Sequence, residues 1–470
     1  MRTYRSVIGL LVVFLSGCAS IPDHAEKADA LGELPPAFDG ATAMPAASAD
    51  ESAPWHLAFA DPALDALVRE AGQANADVAI AALRMREAYA LAQAERASRW
   101  PLLGLGVEAT RGRLAEGAGE PVQEFSTVGL QASYEVDLWG RLAAGRAAAF
   151  ERYLADRHAA EAVRLSITGT VVRSYFDLQL LRERVRILDA SLEAFDRSLA
   201  LSTRRHEEGL LSELDLQRLR AEREDIAARR IVADQATRDA ERRLVLLLGR
   251  APTATARQAL PVTSIEDASA ILPAVPVGVP SELLLRRPDL QAAEARLRAA
   301  AADLTAARRA LFPSLRLTGQ FGRASSDLGD VLDGFDTWSL AMDLLATVFD
   351  GGARRAAIDV SDARREQLLV AYRDAVRRAF ADVVQALDGR DSAAQALAIR
   401  EARLRAQARV ETLAERRYTA GLSSQLDVID AQRKRLDAQL DVAEARAATT
   451  VAYADLMLAL GASTEPVDSD

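Results

Sequence analysis

A chain that repeats itself at a fixed offset folds as two copies of one unit, and this chain does so at 212 residues. The segment Arg205-His-Glu-Glu-Gly209-Leu-Leu-Ser212-Glu-Leu214-Asp215 returns as Arg417-Tyr-Thr-Ala-Gly421-Leu-Ser-Ser424-Gln-Leu426-Asp427, and both read RxxxGxxSxLD. The same offset carries Arg84 to Arg296, Arg96 to Arg308, Pro101 to Pro313, Gly140 to Gly352 and Leu248-Gly249 to Leu460-Gly461. Bias toward Ala, Arg and Glu makes helical segments look alike, but it does not hold Gly, Pro and Asp landmarks at one spacing.

The N-terminus gives the compartment. Met1-Arg-Thr-Tyr-Arg5 precedes an apolar run from Val7 to Leu15 and then Leu15-Ser16-Gly17-Cys18. That run is too short for a spanning helix, which needs roughly 20 apolar residues, and it reads as an export signal over 1–17. Leu-Ser-Gly-Cys resembles a bacterial lipobox, so Cys18 is expected to become the first mature residue and carry lipid, palmitate included. As the only cysteine, it has no disulfide partner in the chain. Ala19 follows instead of Asp, which in the resembling sorting pattern favours the outer membrane. Residues 18–54, rich in Ala, Pro, Asp and Ser, read as an extended arm.

The formal net charge is −10, and charged residues make up 27% of the chain. The arginines are dispersed among carboxylates, without the concentrated basic surface that a nucleic-acid partner requires. Beyond the signal no apolar run is long enough for a transmembrane helix, so any membrane span must be made of strands.

A first unit spans 55–249. Helical patterning starts at Asp61-Pro62, an N-terminal signal, and is expected to run to about Trp100, before Pro101. The period then drops to two. Leu103, Leu105, Val107 and Ala109 alternate with small or polar residues, as do Val128, Leu130, Ala132, Tyr134 and Val136. These are strands with one apolar face, joined through a Gly-rich loop from Gly112 to Gln123. The second unit, 281–461, repeats this with Leu315 to Phe321, a loop through Asp333-Gly334, and Trp338 to Leu344. A hairpin packed on a soluble core also alternates in this way; export and the missing spanning helix favour a membrane barrel. Four strands cannot close one, because open edges are not tolerated in lipid. Three copies give twelve strands and a passage; two give eight, whose interior side chains tend to fill it. A homotrimer is expected.

Long helices are expected over Arg141–His206 and Ala353–Tyr418, each roughly 100 Å at about 1.5 Å per residue. Leu181, Val185, Leu188, Leu192, Phe195 and Leu199 form a heptad seam. Gly209 and Gly421 turn each helix back on a return helix ending at Gly249 or Gly461, the first with a thinner seam of Leu219, Ile226, Ala233, Ala240 and Leu247. The fold class is therefore mainly α with a membrane β-barrel, built from a duplicated strand hairpin and a long antiparallel coiled-coil hairpin. Residues 250–280 read as a linker, and 462–470 as a tail.

Several segments carry a family likeness: Trp55-x3-Phe59-x-Asp61-Pro62-x-Leu64, Tyr134-Glu135-Val136-Asp137-Leu138-Trp139-Gly140-Arg141, Leu283-Leu-Leu285-Arg-Arg287-Pro288-Asp289-Leu290, Phe349-Asp-Gly351-Gly352, Phe380-x-Asp382-Val383 and both RxxxGxxSxLD tips. With these, the chain resembles the TolC/OprM class of outer-membrane efflux channels and, within it, the NodT-type lipoprotein branch. The resemblance implies a trimeric duct with a twelve-stranded barrel and a helical tunnel through the periplasm. It implies docking to a periplasmic adaptor and an inner-membrane pump, most closely of the RND type, and export of drugs or toxic small molecules. The tips around Gly209, Leu210, Ser212, Gly421, Leu422 and Ser424 would meet the adaptor.

The resemblance also implies a periplasmic gate at Asp427 and Asp430, with Asp215 and Tyr418 linking neighbouring hairpins. Asp427 and Asp430 are three apart on a helix and share a face, so three copies would crowd six carboxylates, raising their pKa values or attracting cations. Where the best-known members of the class carry Arg and Thr, this chain has Ser423 and Leu214. A different lock is therefore expected, from Arg416 or Arg417. His24, His56, His158 and His206 fall in no ligand spacing; His206 reads as an exposed tip residue. Gly104-Leu-Gly106 lies in a strand and is no phosphate cradle. The chain reads as no enzyme, with no cofactor beyond the lipid on Cys18. A protein-secretion exit duct shares this architecture and is the alternative; a periplasmic scaffold would lack the alternating strands.

Overall fold

The computed structural model describes residues 54–112, 123–261 and 286–464. The signal, Cys18, the arm through residue 53, the loop 113–122, the linker beyond 261, Leu283 to Leu285 and the tail from 465 lie outside the described residues.

The elements repeat in order. After a 3-10 turn over Trp55–Phe59 come α1 (Pro62–Ala74), α2 (Ala76–Ala97), β1 (Leu102–Gly112), β2 (Gln123–Val136), α3 (Arg141–Glu207) and α4 (Glu213–Leu247). A short α5 (Ala254–Gln258) follows, then α6 (Pro288–Arg309), β3 (Ser314–Ser325), β4 (Phe335–Leu345), α7 (Ala353–Thr419) and α8 (Gln425–Ala459). Both long helices have 67 residues and both return helices 35.

The single helix expected between Asp61 and Trp100 is in fact two. Asn75 breaks it: its backbone is extended, its Oδ1 accepts from the Asp77 and Val78 amides at 2.9 and 3.4 Å, and its Nδ2 donates to the Leu247 carbonyl at 2.9 Å. A short amide side chain that caps one helix and ties down another outcompetes helix continuation. The linker carries α5, capped by Thr253, which its composition did not reveal.

All four strands form one antiparallel sheet in the order β1-β2-β3-β4, so the two hairpins join along β2 and β3. The register sorts the faces. Leu105, Leu130, Phe321 and Trp338 stand in one cross-strand row, Leu103, Ala132, Gly319 and Leu340 in the next, then Tyr134, Leu317 and Met342, then Val136, Leu315 and Leu344. On the opposite face run Glu135, Arg316 and Asp343, and Gln131, Gln320 and Ser339. The apolar face extends roughly 20–25 Å along a strand at about 3.4 Å per residue, the height of a bilayer's apolar band. It ends in the ion pairs Arg111–Glu124 at 2.8 Å and Arg323–Asp336 at 3.4 Å. Leu105 and Leu340 are 76% and 77% exposed. At the seam between repeats Gly129 opposes Gly322, and a Cβ on either would lie 2.5 or 2.2 Å from a backbone oxygen across the strand.

The helices hold two cores. At the waist, Phe59 packs against Phe176 and Tyr453, with ring centroids 5.0 and 5.5 Å apart. Asp61 caps α1 with one oxygen and accepts the Tyr175 hydroxyl with the other, at 2.5 Å. Toward the tips, Ile187, Leu188, Phe195, Leu219, Ile226 and Ala233 interleave with Ile429, Leu436 and Ala443 of α8. The heptad reading of α3 and α4 is thus met, with Val185, Leu192 and Leu199 at its partly buried edge, and α8 brings its own seven-residue spacing into the same seam. Full burial of Leu219 or Ile226 contributes about 2 kcal/mol each. The dispersed arginines stitch helix to helix: Arg230 pairs with Asp189 at 3.0 Å, Arg229 with Asp437 at 3.1 Å, and Arg184 with Glu444 at 3.2 Å. No described helix is long and apolar enough to cross a membrane.

Candidate functional site

Each tip builds itself from its own motif. At the first, Gly209 takes φ +73°, the Leu210 amide donates back to the Arg205 carbonyl at 2.7 Å, and Ser212 opens α4 by accepting the Asp215 amide at 3.1 Å. At the second, Gly421 takes φ +73°, the Leu422 amide donates to the Arg417 carbonyl at 2.8 Å, and Ser424 caps α8. RxxxGxxSxLD is therefore a helix stop followed at once by a helix start. The glycine supplies the left-handed residue that a side chain resists; at the second tip Ser424 and Asp427 close a capping box, while at the first Ser212 accepts the Asp215 amide and donates its hydroxyl to the Asp215 carboxylate. Leu210 and Leu422 are left exposed at the two apices.

The four expected gate residues cluster at these tips with defined partners. Asp427 accepts the Ser424 amide and hydroxyl, both at 2.9 Å. The backbone bond, with the hydroxyl second, holds its carboxyl below the usual range. Within one chain the cap sets this direction. Asp430 pairs instead with Lys434 at 2.7 Å. Asp215 accepts the Ser212 hydroxyl at 2.7 Å and sits 3.5 Å from Arg218.

Tyr418 is engaged by a residue that the sequence reading passed over. Arg205 Nη1 donates to its hydroxyl oxygen at 3.1 Å, and the guanidinium lies 5.5 Å from the ring centroid. This contact ties the first coiled-coil hairpin to the second within one protomer. Arg417, proposed for the lock, donates at 3.4 Å to the Leu422 carbonyl of its own turn. The signal was present: Arg205 is the repeat mate of Arg417, and His206 of Tyr418. His206 is no idle surface residue, lying 2.9 Å from the Leu211 carbonyl oxygen and 3.0 Å from Glu213. Further up, Glu222 lies in the α4–α8 charge cluster with Arg433, Arg229 and Asp437; burial pushes its carboxyl up, and Arg433 opposes the shift.

The cap makes a pH prediction. A carboxyl with a depressed folded pKa stabilises its helix above its unfolded value, and that contribution is lost as pH falls through the lower folded value. Protection of the Ser424 amide, relative to its intrinsic exchange rate at each pH, is expected to persist below pH 3.8, the ordinary value for this group. In Asp427→Asn that protection is expected to be weak at every pH. No group of three His, Cys, Asp or Glu side chains among the described residues could hold a metal ion.

The sequence model of the outer membrane efflux protein family matches residues 67–250 and again 279–462, the second match starting 212 residues after the first. The pyoverdine export outer membrane protein OpmQ of Pseudomonas putida is 35% identical over 451 residues, covering 92% of this chain and 92% of that protein. The solvent efflux pump outer membrane protein SrpC of Pseudomonas putida is 32% identical over 452 residues, 93% of each. Among solved structures, the outer-membrane channel OprN superposes with a TM-score of 0.84 at 26% identity, over 96% of this chain and all of that one.

Proposed function

The chain belongs to the outer membrane efflux protein family, and from that premise we propose that three copies close into one duct anchored by lipid on Cys18. As a family member it is the outer-membrane channel component of an efflux system. The observation that carries the trimer is the four-stranded sheet: one apolar face of bilayer height, and edge strands β1 and β4 whose outer hydrogen-bonding groups have no partner among the described strands. Backbone left unpaired in hydrocarbon costs several kcal/mol per group, so edges must meet edges of other copies. Three sheets give twelve strands, enough for a lumen.

In this reading the Glu135–Arg316–Asp343 face lines the lumen and the Leu105–Leu130–Phe321–Trp338 face meets lipid. Tyr418, Asp215, Asp427 and Asp430 narrow the periplasmic end, with Arg205 as the clasp. The exposed apices at Leu210 and Leu422 dock a periplasmic adaptor, and through it an inner-membrane pump of the RND type. The relatives' names concern pyoverdine and solvents, which favours small-molecule cargo over protein secretion. The chain is a conduit and carries out no chemistry of its own.

Conductance of the purified oligomer in planar bilayers tests the duct. The wild type is expected to conduct weakly, and Asp427→Ala/Asp430→Ala several-fold more. Purified trimers that never conduct, even with both aspartates removed, sink the channel reading. Crosslinking from the tips in native membranes tests the partners: recovery of an ABC exporter in place of an RND pump would move the chain to secretion.

A further inference from the structure

Where the sheet meets the helices the chain forms a half-open pocket of about 320 Å³, far from the tips. Of its strand residues, Glu135, Ser314, Arg316 and Leu345 share the polar face of the sheet, with Val136 alone from the apolar row, so the pocket lies mainly toward the side that becomes the lumen. Four guanidiniums reach it, and two are neutralised: Arg141 by Glu135 at 2.6 Å and Arg354 by Asp350 at 3.1 Å. The other two are not. Arg309 donates only to the Gly140 carbonyl, at 2.8 Å, and Arg316 makes no hydrogen bond or ion pair among the described residues.

The nearby acids do not fill that role. Asp137 uses its two oxygens on the Leu142 and Ala143 amides, at 2.9 and 2.7 Å. Asp343 is the cross-strand neighbour of Arg316 but forms no ion pair with it. Beside these cations Trp139 and Phe312 stack with centroids 5.0 Å apart and planes 23° apart. The indole N–H is already donated to the Pro313 carbonyl at 2.7 Å, so the rings present a wall with no polar demand.

From a flat apolar wall next to two guanidiniums without a carboxylate partner, we infer that the pocket is a luminal way-station for amphiphilic organic anions, such as aromatic carboxylates or sulfonates, during transit. Guanidinium forks recognise such oxyanions through paired hydrogen bonds, the rings take the apolar body, and the volume is that of small-molecule sites. The inference rests on the duct reading, which makes this face the lumen. An anionic phospholipid offers the same chemistry from another source, and the test separates the two.

Calorimetric titration of the full-length detergent-solubilised oligomer with naphthalene-2-sulfonate is expected to show saturable binding, one site per chain. Arg316→Gln should weaken it about tenfold, the loss of one charged hydrogen-bonding group, and Arg309→Gln/Arg316→Gln further. Neutral 2-naphthol should bind more weakly than the sulfonate and respond to neither variant. Because Arg316 holds no structural bond, its variant should keep the wild-type oligomer and melting temperature. Equal sulfonate affinity in wild type and Arg316→Gln overturns the site, and naphthol binding as tightly as the sulfonate overturns the anion class. An anionic phospholipid, found by mass spectrometry, that the sulfonate cannot displace and Arg316→Gln releases would assign the pocket to lipid and overturn the solute. Binding is read without conduction, so an oligomer that binds but never conducts counts against the duct and leaves the site standing.

Discussion

Gly129→Val and Gly322→Val are each expected to abolish assembled channel in the outer membrane, while Gly319→Val leaves assembly near normal. The three glycines lie in the same sheet and have the same low strand propensity, so propensity alone predicts a modest and equal gain for all. Geometry separates them. A Cβ at Gly129 would sit 2.5 Å from the Phe321 carbonyl oxygen, and one at Gly322 would sit 2.2 Å from that of Val128, whereas at Gly319, on the interior strand β3, the nearest atoms lie 3.9 Å away. The obstruction is backbone, which cannot rotate away, and it falls on the ladder that joins the two repeats into one sheet. Forcing β2 and β3 apart leaves amides unpaired at membrane depth, at several kcal/mol each. That exceeds the margin of most folded domains. The measurement is the amount of oligomer recovered from outer-membrane fractions, with drop-out expected to be at least tenfold for the two seam variants. Normal recovery of Gly322→Val would show that the strands do not approach so closely.

The second large effect is expected at Arg205. Arg205→Ala removes both the hydrogen bond to the Tyr418 hydroxyl and the cation over its ring, together about 1–2 kcal/mol at a partly buried site. If that contact holds the two coiled-coil hairpins of a protomer together, losing it raises single-channel open probability roughly tenfold. Tyr418→Phe keeps the ring and loses only the hydroxyl, so it should raise opening less. The double variant should match Arg205→Ala alone, since the two residues act through one contact. Additive effects would mean that Arg205 acts on some other partner.

Much of this fold was legible because its signals are local. Gly209 and Gly421 need a left-handed backbone, Pro101 and Pro313 end helices, and strict alternation along Leu103 to Ala109 leaves only one face for lipid. What stayed hidden depends on partners far along the chain. Nothing near Asn75 says that the helix stops there, because the carbonyl that rewards the break belongs to Leu247. The β2–β3 seam pairs residues about 200 positions apart, and the Arg205–Tyr418 contact crosses 213. At the tips a local signal was legible as well. Ser424-x-x-Asp427 is a capping box in plain view, and reading the aspartate first as a gate charge hid its local task. The arrangement at one tip makes those roles compatible, since a carboxylate can accept its cap and still present a negative field to the bore.

The unpaired edges of the sheet have a genetic consequence. A subunit whose β1 or β4 cannot pair withholds an edge from its neighbours, so its damage is shared by every ring it joins. When wild-type and defective alleles are expressed equally, only about one ring in eight of a three-fold assembly escapes with no defective member. Lesions on β1 and β4 should therefore behave as dominant alleles. Lesions confined to the Arg205 clasp, which acts within one protomer, should instead scale with gene dosage.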